Sequence, residues 1–253
     1  IPDYLGKAFV AIEDERFYQH NGIDFKSIIR AGYQFFKTGG EEAQGASTIT
    51  QQLLKNTVFT DWTSEGNNKI KKIKRKIQEQ YLALEITKYY SKDEILLRYM
   101  NAINLGQNTL GVESASLRYF GKHCSELTIS ECAVIASITQ NPSKYNPIRH
   151  PEENVKRREK CLNKMLELGF ISQTQYDEAM ADTDAVYERI GLYDIDYQEA
   201  NATTGSYFSD AVYEQVKQDL ILSGYNENMA ETLLTSGGLR VESTLDPKIQ
   251  AIL

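Results

Sequence analysis

Gly45-Ala46-Ser47-Thr48-Ile49-Thr50-Gln51-Gln52-Leu53-Leu54-Lys55-Asn56 is the stretch whose reading decides the fold. Thr48 and Gln51 stand three apart at the head of an apolar run. In that arrangement a hydroxyl accepts the N3 amide of a helix and the N3 side chain reaches back to the N-cap. The same signature recurs at Ser91-Lys92-Asp93-Glu94, Thr128-Ile129-Ser130-Glu131 and Ser172-Gln173-Thr174-Gln175, each beside an apolar periodic stretch. Phe25, Ile28, Ile29, Gly32 and Phe36 also recur at helical spacing, as do Ile70, Ile73, Ile77, Leu82 and Leu84. Most of residues 3–180 is therefore expected to be helical, in a chain of mainly α class.

Outward from that stretch, Asn141-Pro142 and Asn146-Pro147 interrupt the pattern and mark a loop. Helix resumes from about Glu152 to Leu168 and stops at Gly169. Beyond about residue 185 the texture changes. Tyr187, Tyr193 and Tyr197 sit in an acidic, loop-like passage, and Tyr207 to Leu222 has the period of an amphipathic helix. Gly237-Gly238 introduces Leu239-Arg240-Val241-Glu242-Ser243-Thr244-Leu245, whose alternation reads as a strand, and Asp246-Pro247 caps a last short helix. The implied division is one domain over 1–180 and a short α/β segment over 181–253. The 253 residues suffice for one large core or for a main domain with a smaller appendage.

The net charge of −7 hides a split, because residues 177–231 carry a net −11 and the remainder sums to +4. Anion binding therefore belongs to the body, and the overall acidity argues against a general nucleic-acid binder. Cys124, Cys132 and Cys161 lack metal-ligand spacing and read as buried, unpaired thiols on helices, with one disulfide left open. No apolar run is long enough to cross a bilayer and there is no secretory signal. The abrupt start at Ile1-Pro2 and the stop at Leu253 read as the ends of an excised piece and leave room for an anchor outside these boundaries.

Three clusters carry candidate chemistry. Glu13-Asp14-Glu15-Arg16-Phe17-Tyr18-Gln19-His20-Asn21-Gly22 follows the apolar Ala8–Ile12 and ends at a glycine suited to a helix C-terminus. A carboxylate emerging from an apolar helix can act as a general base, although an acidic helix end is more often a solvated surface. In the opening stretch, small and hydroxyl residues at a helix start leave N–H groups and a dipole suited to phosphate, with Gln51, Gln52 and Lys55 following one turn later; an ordinary capped helix is the alternative. In Lys69-Ile70-Lys71-Lys72-Ile73-Lys74-Arg75-Lys76, six of eight residues are basic. Such a run is usually a solvated face or a membrane-surface contact. Arg75 and Glu79, four apart, share a helix face, where Glu79 can orient the cations or hold a divalent ion against a pyrophosphate. Two carboxylates with cations suit glycosyl transfer from a phosphate-linked sugar.

The motifs, in order, resemble those of the peptidoglycan glycosyltransferases. The first is Glu13-Asp14 with Phe17, His20 and Gly22. The second is Gly45–Gln52 with Lys55, and the third is Arg75-Lys76 with Glu79, Ala83 and Glu85. The fourth is Ser91–Ile95 with Tyr99, Asn101 and Gly106, and the fifth is Arg157-Arg158 upstream of Met165. The resemblance spans roughly residues 8–168. It implies a lysozyme-like fold with a large globular lobe and a small membrane-proximal jaw. It implies that lipid II is the acceptor and a lipid-linked glycan strand the donor. Glu13 is then the base, transfer proceeds with inversion, and undecaprenyl pyrophosphate leaves. Glu79 becomes the second essential carboxylate, acting through a divalent cation (Mg2+ or Mn2+) or nearby cations. Lys55, Arg75 and Lys76 are expected on the pyrophosphates. Asp14, Phe17, His20, Ser47, Thr48, Gln51 and Gln52 are expected to shape the cleft and bind substrate, while Tyr99 and Asn101 support the fold. Within the variable Val58–Asn68 segment, Phe59 and Trp62 are candidates for lipid anchors, with packing in the jaw the alternative for Trp62.

Ser206-Tyr207-Phe208 with Asp210, and Gly237–Pro247, resemble the linker that precedes the transpeptidase in bifunctional class A penicillin-binding proteins. The resemblance thus makes 1–180 the glycosyltransferase domain and 181–253 a linker to a transpeptidase domain in the parent chain. It implies the extracytoplasmic face of the cell membrane, an N-terminal transmembrane anchor and divisome or elongation-complex proteins as partners. Lys37-Thr38-Gly39 mimics a transpeptidase motif, but no Ser lies three residues before any Lys. It reads as a helix end plus turn, and no acylation by penicillin is expected. The rival readings are a lysozyme-like peptidoglycan hydrolase or lytic enzyme, and a non-catalytic membrane- or wall-binding module.

Overall fold

All four capping boxes form, at Thr48, Ser91, Thr128 and Ser172, so the hydroxyl–carboxamide and hydroxyl–carboxylate pairs do set helix starts. The computed structural model describes residues 2–38, 45–59, 69–191, 193, 207–236, 239 and 241. The helices in order are α1 (Asp3–Glu13), α2 (Phe25–Lys37), α3 (Ile49–Thr57), α4 (Lys69–Ile86), α5 (Lys92–Ala102) and α6 (Val112–Phe120). They continue with α7 (Ile129–Ser137), α8 (Pro151–Glu167), α9 (Gln173–Ala181), α10 (Thr183–Glu188), α11 (Tyr207–Leu222) and α12 (Glu227–Ser236). Among the described residues, extended pairing is limited to one isolated bridge between Asn104 and Leu110. The strand expected over 239–245 and the helix after it lie outside the described residues, Leu239 and Val241 excepted.

The core of the main lobe is built around α7, whose residues Ser130 to Ser137 are all buried. A helix that is enclosed on every side must be covered by neighbours, and α1 and α8 pack against it and against each other. Leu5, Phe9, Ile135, Leu162 and Met165 from these three helices share one apolar cluster. All three cysteines are buried and unpaired there or at its edge.

A second, smaller cluster joins Ile23, Leu54 of α3 and Ala83 of α4, with Phe59 packed against it. Phe59 is therefore an internal packing residue, and Trp62 lies outside the described residues. Gly22 fastens the same junction. It is not a helix C-terminus, since α1 ends at Glu13, nine residues earlier. Its φ is +89° and a Cβ would fall 2.2 Å from the Ala83 carbonyl oxygen. Its own carbonyl accepts the Thr48 hydroxyl at 2.6 Å. A left-handed backbone and a close approach both require glycine here.

Tyr187 lies in α10 rather than in a loop, and its hydroxyl donates to Asn154. Burial there compensates for the weak local helix signal. Arg158 of α8 is wholly buried and donates to Ser130, Thr183 and the Ala179 carbonyl. Arg189 pairs with Asp182 and with buried Glu131, so residues beyond 180 pack on the lobe. Lys37 does end a helix, with Thr38 as its C-cap.

Ile28 and Leu82 pack against the second cluster, but much of the apolar periodicity that marks α2 and α4 faces outward. On α4, Ile70, Ile73, Ile77 and Tyr81 are 80, 61, 62 and 64% exposed. Phe25, Ile29 and Tyr33 of α2 are exposed as well. No helix among the described residues is long and apolar enough to cross a membrane.

Gly22→Ala should destabilise the lobe by about 2 kcal/mol or more, through a strained φ and a displaced Ala83 carbonyl. Thermal unfolding reads this directly, and an unchanged midpoint would contradict the close-approach account.

Candidate active site

A cleft of about 570 Å³ opens where α1 ends, within the usual size of ligand sites. One wall comes from the segment before α3 and from α3 and α4: Ser47, Thr48, Gln52, Lys55, Arg75 and Lys76. The facing wall comes from α2 and α8: Ser27, Arg30, Arg157, Lys160 and Lys164. Glu13, Asp14 and Glu15 lie between them.

Glu13 is the last residue of the buried α1. Its Oε1 accepts from Thr139 Oγ1 at 2.5 Å and Arg157 Nη2 at 2.7 Å. Its Oε2 accepts from Gln52 Nε2 at 2.9 Å. Gln52 is steadied in turn by the hydroxyl of Tyr99, which donates to Gln52 Oε1 at 3.1 Å. Tyr99 is wholly buried, and burial, with the charge of Glu13, pushes its hydroxyl well above the usual tyrosine range. It stays a neutral donor.

Asp14 turns away from the solvent. Its carboxylate meets His20 Nε2 at 3.0 Å and accepts the Ile49 amide at 3.0 Å. Phe17 is fully buried, edge-on to His20, with the Lys92 ammonium 4.4 Å from its ring centre. Burial pulls the Lys92 ammonium below the usual lysine range, against the opposing charge of Asp14. Phe17, His20 and Gln51 thus stand behind the cleft wall rather than in it. Gln51 is buried because its side chain accepts the Thr48 amide as the other half of the capping box.

Three amides at the start of α3 are already taken. Thr48 N–H goes to Gln51, Ile49 N–H to Asp14 and Gln51 N–H to Thr48. The capped helix forms, and the cleft adds side-chain cations suited to an anion. Lys76 Nζ donates to Ser47 at 2.8 Å and to Glu79 Oε2 at 2.7 Å. Arg75 pairs with Glu79 Oε1. Glu79 is wholly buried beneath both cations.

This donor set does not fit a resident divalent ion. Each oxygen of Glu79 already faces a cation, and a metal approaching it would have to displace or confront one. Among the described residues, no three His, Cys, Asp or Glu side chains converge as metal ligands. Glu79 is placed to hold Arg75 and Lys76.

On the opposite wall, burial raises the Glu15 carboxyl, but the hydrogen bond from Arg30 and the charge of Lys164 outweigh it and hold it below the usual range. Burial likewise raises the Asp24 carboxyl and is outweighed by the Ser27 amide and Arg16. Both acids are held ionised and occupied. Sequence reasoning found Glu13, Gln52 and the α3–α4 cations, which the cleft does bring together. It assigned nothing to Thr139, Arg30, Lys160 or Lys164, and no role to Arg157. Arg157, Lys160 and Lys164 recur at helical spacing on α8, a signal that was available.

Residues 1–166 match the protein family described as Transglycosylase. Penicillin-binding protein 1A of Clostridium perfringens is 40% identical over 99% of this chain and 30% of its own length. Penicillin-binding protein 1F of Bacillus subtilis is 38% identical over 99% of this chain and 32% of its own. A crystal structure of penicillin-binding protein 1A from Haemophilus influenzae matches 55% of this chain and 19% of its own, at 30% identity and a TM-score of 0.37. The chain thus spans about a third of the length of the relatives it matches.

Glu79→Gln should cost about 1–3 kcal/mol, because Arg75 and Lys76 lose a buried counter-ion but can turn toward solvent. Thermal unfolding with and without Mg2+ or Mn2+ tests both role and donor set. Stabilisation of the unmutated chain by metal, lost in Glu79→Gln, would return an ion to that carboxylate.

Proposed function

This chain belongs to the transglycosylase family, and on that premise we propose that it polymerises lipid II into peptidoglycan strands, with Glu13 as general base. The observation that supports this most is Glu13, beside Asp14 and Glu15, in a cleft whose two walls both carry cations. Glu13 removes the proton from the acceptor sugar hydroxyl as that oxygen attacks the donor's anomeric carbon from the face opposite the leaving group. The bond to the pyrophosphate breaks with inversion, and the undecaprenyl pyrophosphate carries the electron pair away. Preorganised cations are worth most where such charge develops, and Lys55, Arg75 and Lys76 meet it there. Two lipid-linked substrates bring two pyrophosphates, and Arg30, Lys160 and Lys164 suit the second.

A hydrolase reading needs a second carboxyl poised as an acid beside the sugar. Glu79 is buried under cations, and Glu15 is held ionised by Arg30 and Lys164. Neither is available as that acid. The exposed apolar stripes of α2 and α4, with Lys71, Lys72 and Lys74 also exposed on α4, suit the acyl–headgroup boundary of a bilayer. They favour a domain seated on a membrane surface; the outer face of the cytoplasmic membrane and a parent chain with a transpeptidase domain are inferred from the class A penicillin-binding relatives.

Glu13→Gln should lower polymer formation from lipid II by about 10²–10⁴-fold, the usual worth of a general base, with the helical circular dichroism retained. Retained turnover would overturn the assignment, and shortening of preformed strands by the unmutated chain would favour the hydrolase. Replacing Ile73 and Ile77 together by Glu should weaken binding to anionic phospholipid vesicles by about tenfold or more, since each buried isoleucine contributes roughly 1.5–3 kcal/mol. Undiminished co-sedimentation of that variant would remove α4 from the membrane surface.

A further inference from the structure

A carboxylate offers about four lone-pair sites, two on each oxygen. Glu13 Oε1 is approached by two donors, Thr139 Oγ1 and Arg157 Nη2, while Oε2 is approached by one, Gln52 Nε2. Within the folded chain, one site is left for a substrate proton, and it lies on Oε2.

We propose that Thr139 and Arg157 are positioning residues that fill Oε1 of Glu13, so that the acceptor hydroxyl delivers its proton to Oε2. The proposal rests on the reading of Glu13 as the base. In the step it describes, the acceptor O–H bond breaks and its proton passes to Oε2. The freed electron pair forms the bond from oxygen to the anomeric carbon. The bond from that carbon to the pyrophosphate oxygen breaks, and the leaving group keeps its pair.

The clamp is itself held rigid. Arg157 Nη1 donates to Gln140 Oε1 at 2.7 Å, and its guanidinium lies 4.8 Å from the Tyr145 ring centre. Its side chain is 11% exposed and that of Glu13 is 9%. The neighbouring Arg158 instead faces the core, where it donates to two hydroxyls and a backbone carbonyl.

A static ion pair would be orphaned when its carboxylate becomes neutral, but here both donors have a second acceptor. The Thr139 hydroxyl has one proton and two acceptors in reach, Glu13 Oε1 and the Ala136 carbonyl oxygen at 2.8 Å. The ionised carboxylate is the stronger acceptor. When Glu13 takes up a proton, the hydroxyl turns to Ala136, and Arg157 Nη2 keeps Thr139 Oγ1 at 3.2 Å. The arrangement therefore serves a group whose charge changes during turnover.

The test measures polymerisation of lipid II by the whole chain as a function of substrate concentration, for Thr139→Val, Thr139→Ser, Arg157→Ala and Arg157→Lys. Thr139→Val and Arg157→Ala are expected to lose about 10–100-fold in kcat, as for a base displaced by an ångström, with KM little changed. Thr139→Ser should keep a rate close to that of the unmutated chain. Free guanidinium should restore a large part of the Arg157→Ala loss and none of the loss in Glu13→Gln. Full rates in both Thr139→Val and Arg157→Ala, or losses confined to KM, would overturn the proposal while leaving Glu13 as base. If Arg157→Ala fails to fold, Thr139→Val and Thr139→Ser decide the matter alone. An unmutated chain that makes no polymer, or a fully active Glu13→Gln, would instead overturn the reading on which the proposal rests.

Discussion

A carboxylate at the C-terminal end of a buried helix is electrostatically uncomfortable, because the unpaired carbonyls there carry the negative pole of the helix dipole. Glu13 occupies that place at the end of α1, which has no basic residue in its last turn. Local sequence cannot relieve the repulsion. The relief comes from Arg157, 144 residues away, from Thr139, 126 residues away, and from Gln52, 39 residues away. Placing these three groups around one carboxyl requires α1, α3, α7 and α8 to meet at a single point. Much of the lobe can be read as the scaffold that makes this meeting happen.

The opposite wall solves a related problem with the sign reversed. Arg75 and Lys76 are adjacent on α4 and repel each other, and the buried Glu79 one turn on draws both toward the cleft. A buried charge is tolerated only when it is paired, and here the pairing also sets direction. Ser47 receives Lys76 from the other side, so the loop before α3 is tied to α4 through a cation. Gly22 and the Ile23–Leu54–Ala83 cluster hold the same two helices together with apolar contact and backbone proximity.

Helix starts were legible because a capping box is a local device, complete within four residues. The clustering of Glu13, Gln52, Lys55, Arg75 and Lys76 was legible only through a resemblance of ordered motifs, since no periodicity joins α1 to α4. The direction in which those motifs point was less legible. Phe17, His20 and Gln51 lie in the same motifs as cleft residues yet are turned inward, because an aromatic ring and the partners of Asp14 and Thr48 are needed behind the wall. The apolar stripe of α4 gave the correct helix, and the reading of its basic run as a solvated or membrane-facing surface agrees with the exposure of Ile70, Ile73 and Ile77. Thr139 had no signal at all. Its hydroxyl matters because the chain turns at the end of α7 beside a residue from the far end of the sequence.

Consecutive arginines at 157 and 158 project into different worlds, one into the cleft and one into the packed interior. Successive residues on a helix are rotated by about 100°, so both roles are fulfilled by a single angular setting of α8. Deleting one residue upstream in that helix would carry Glu159 into the buried place of Arg158, and inserting one would offer Lys156 to the base in place of Arg157. This helix is phase-locked, and the loop before it is tied to the same setting, because Gln140 and Tyr145 hold the guanidinium that reaches the base.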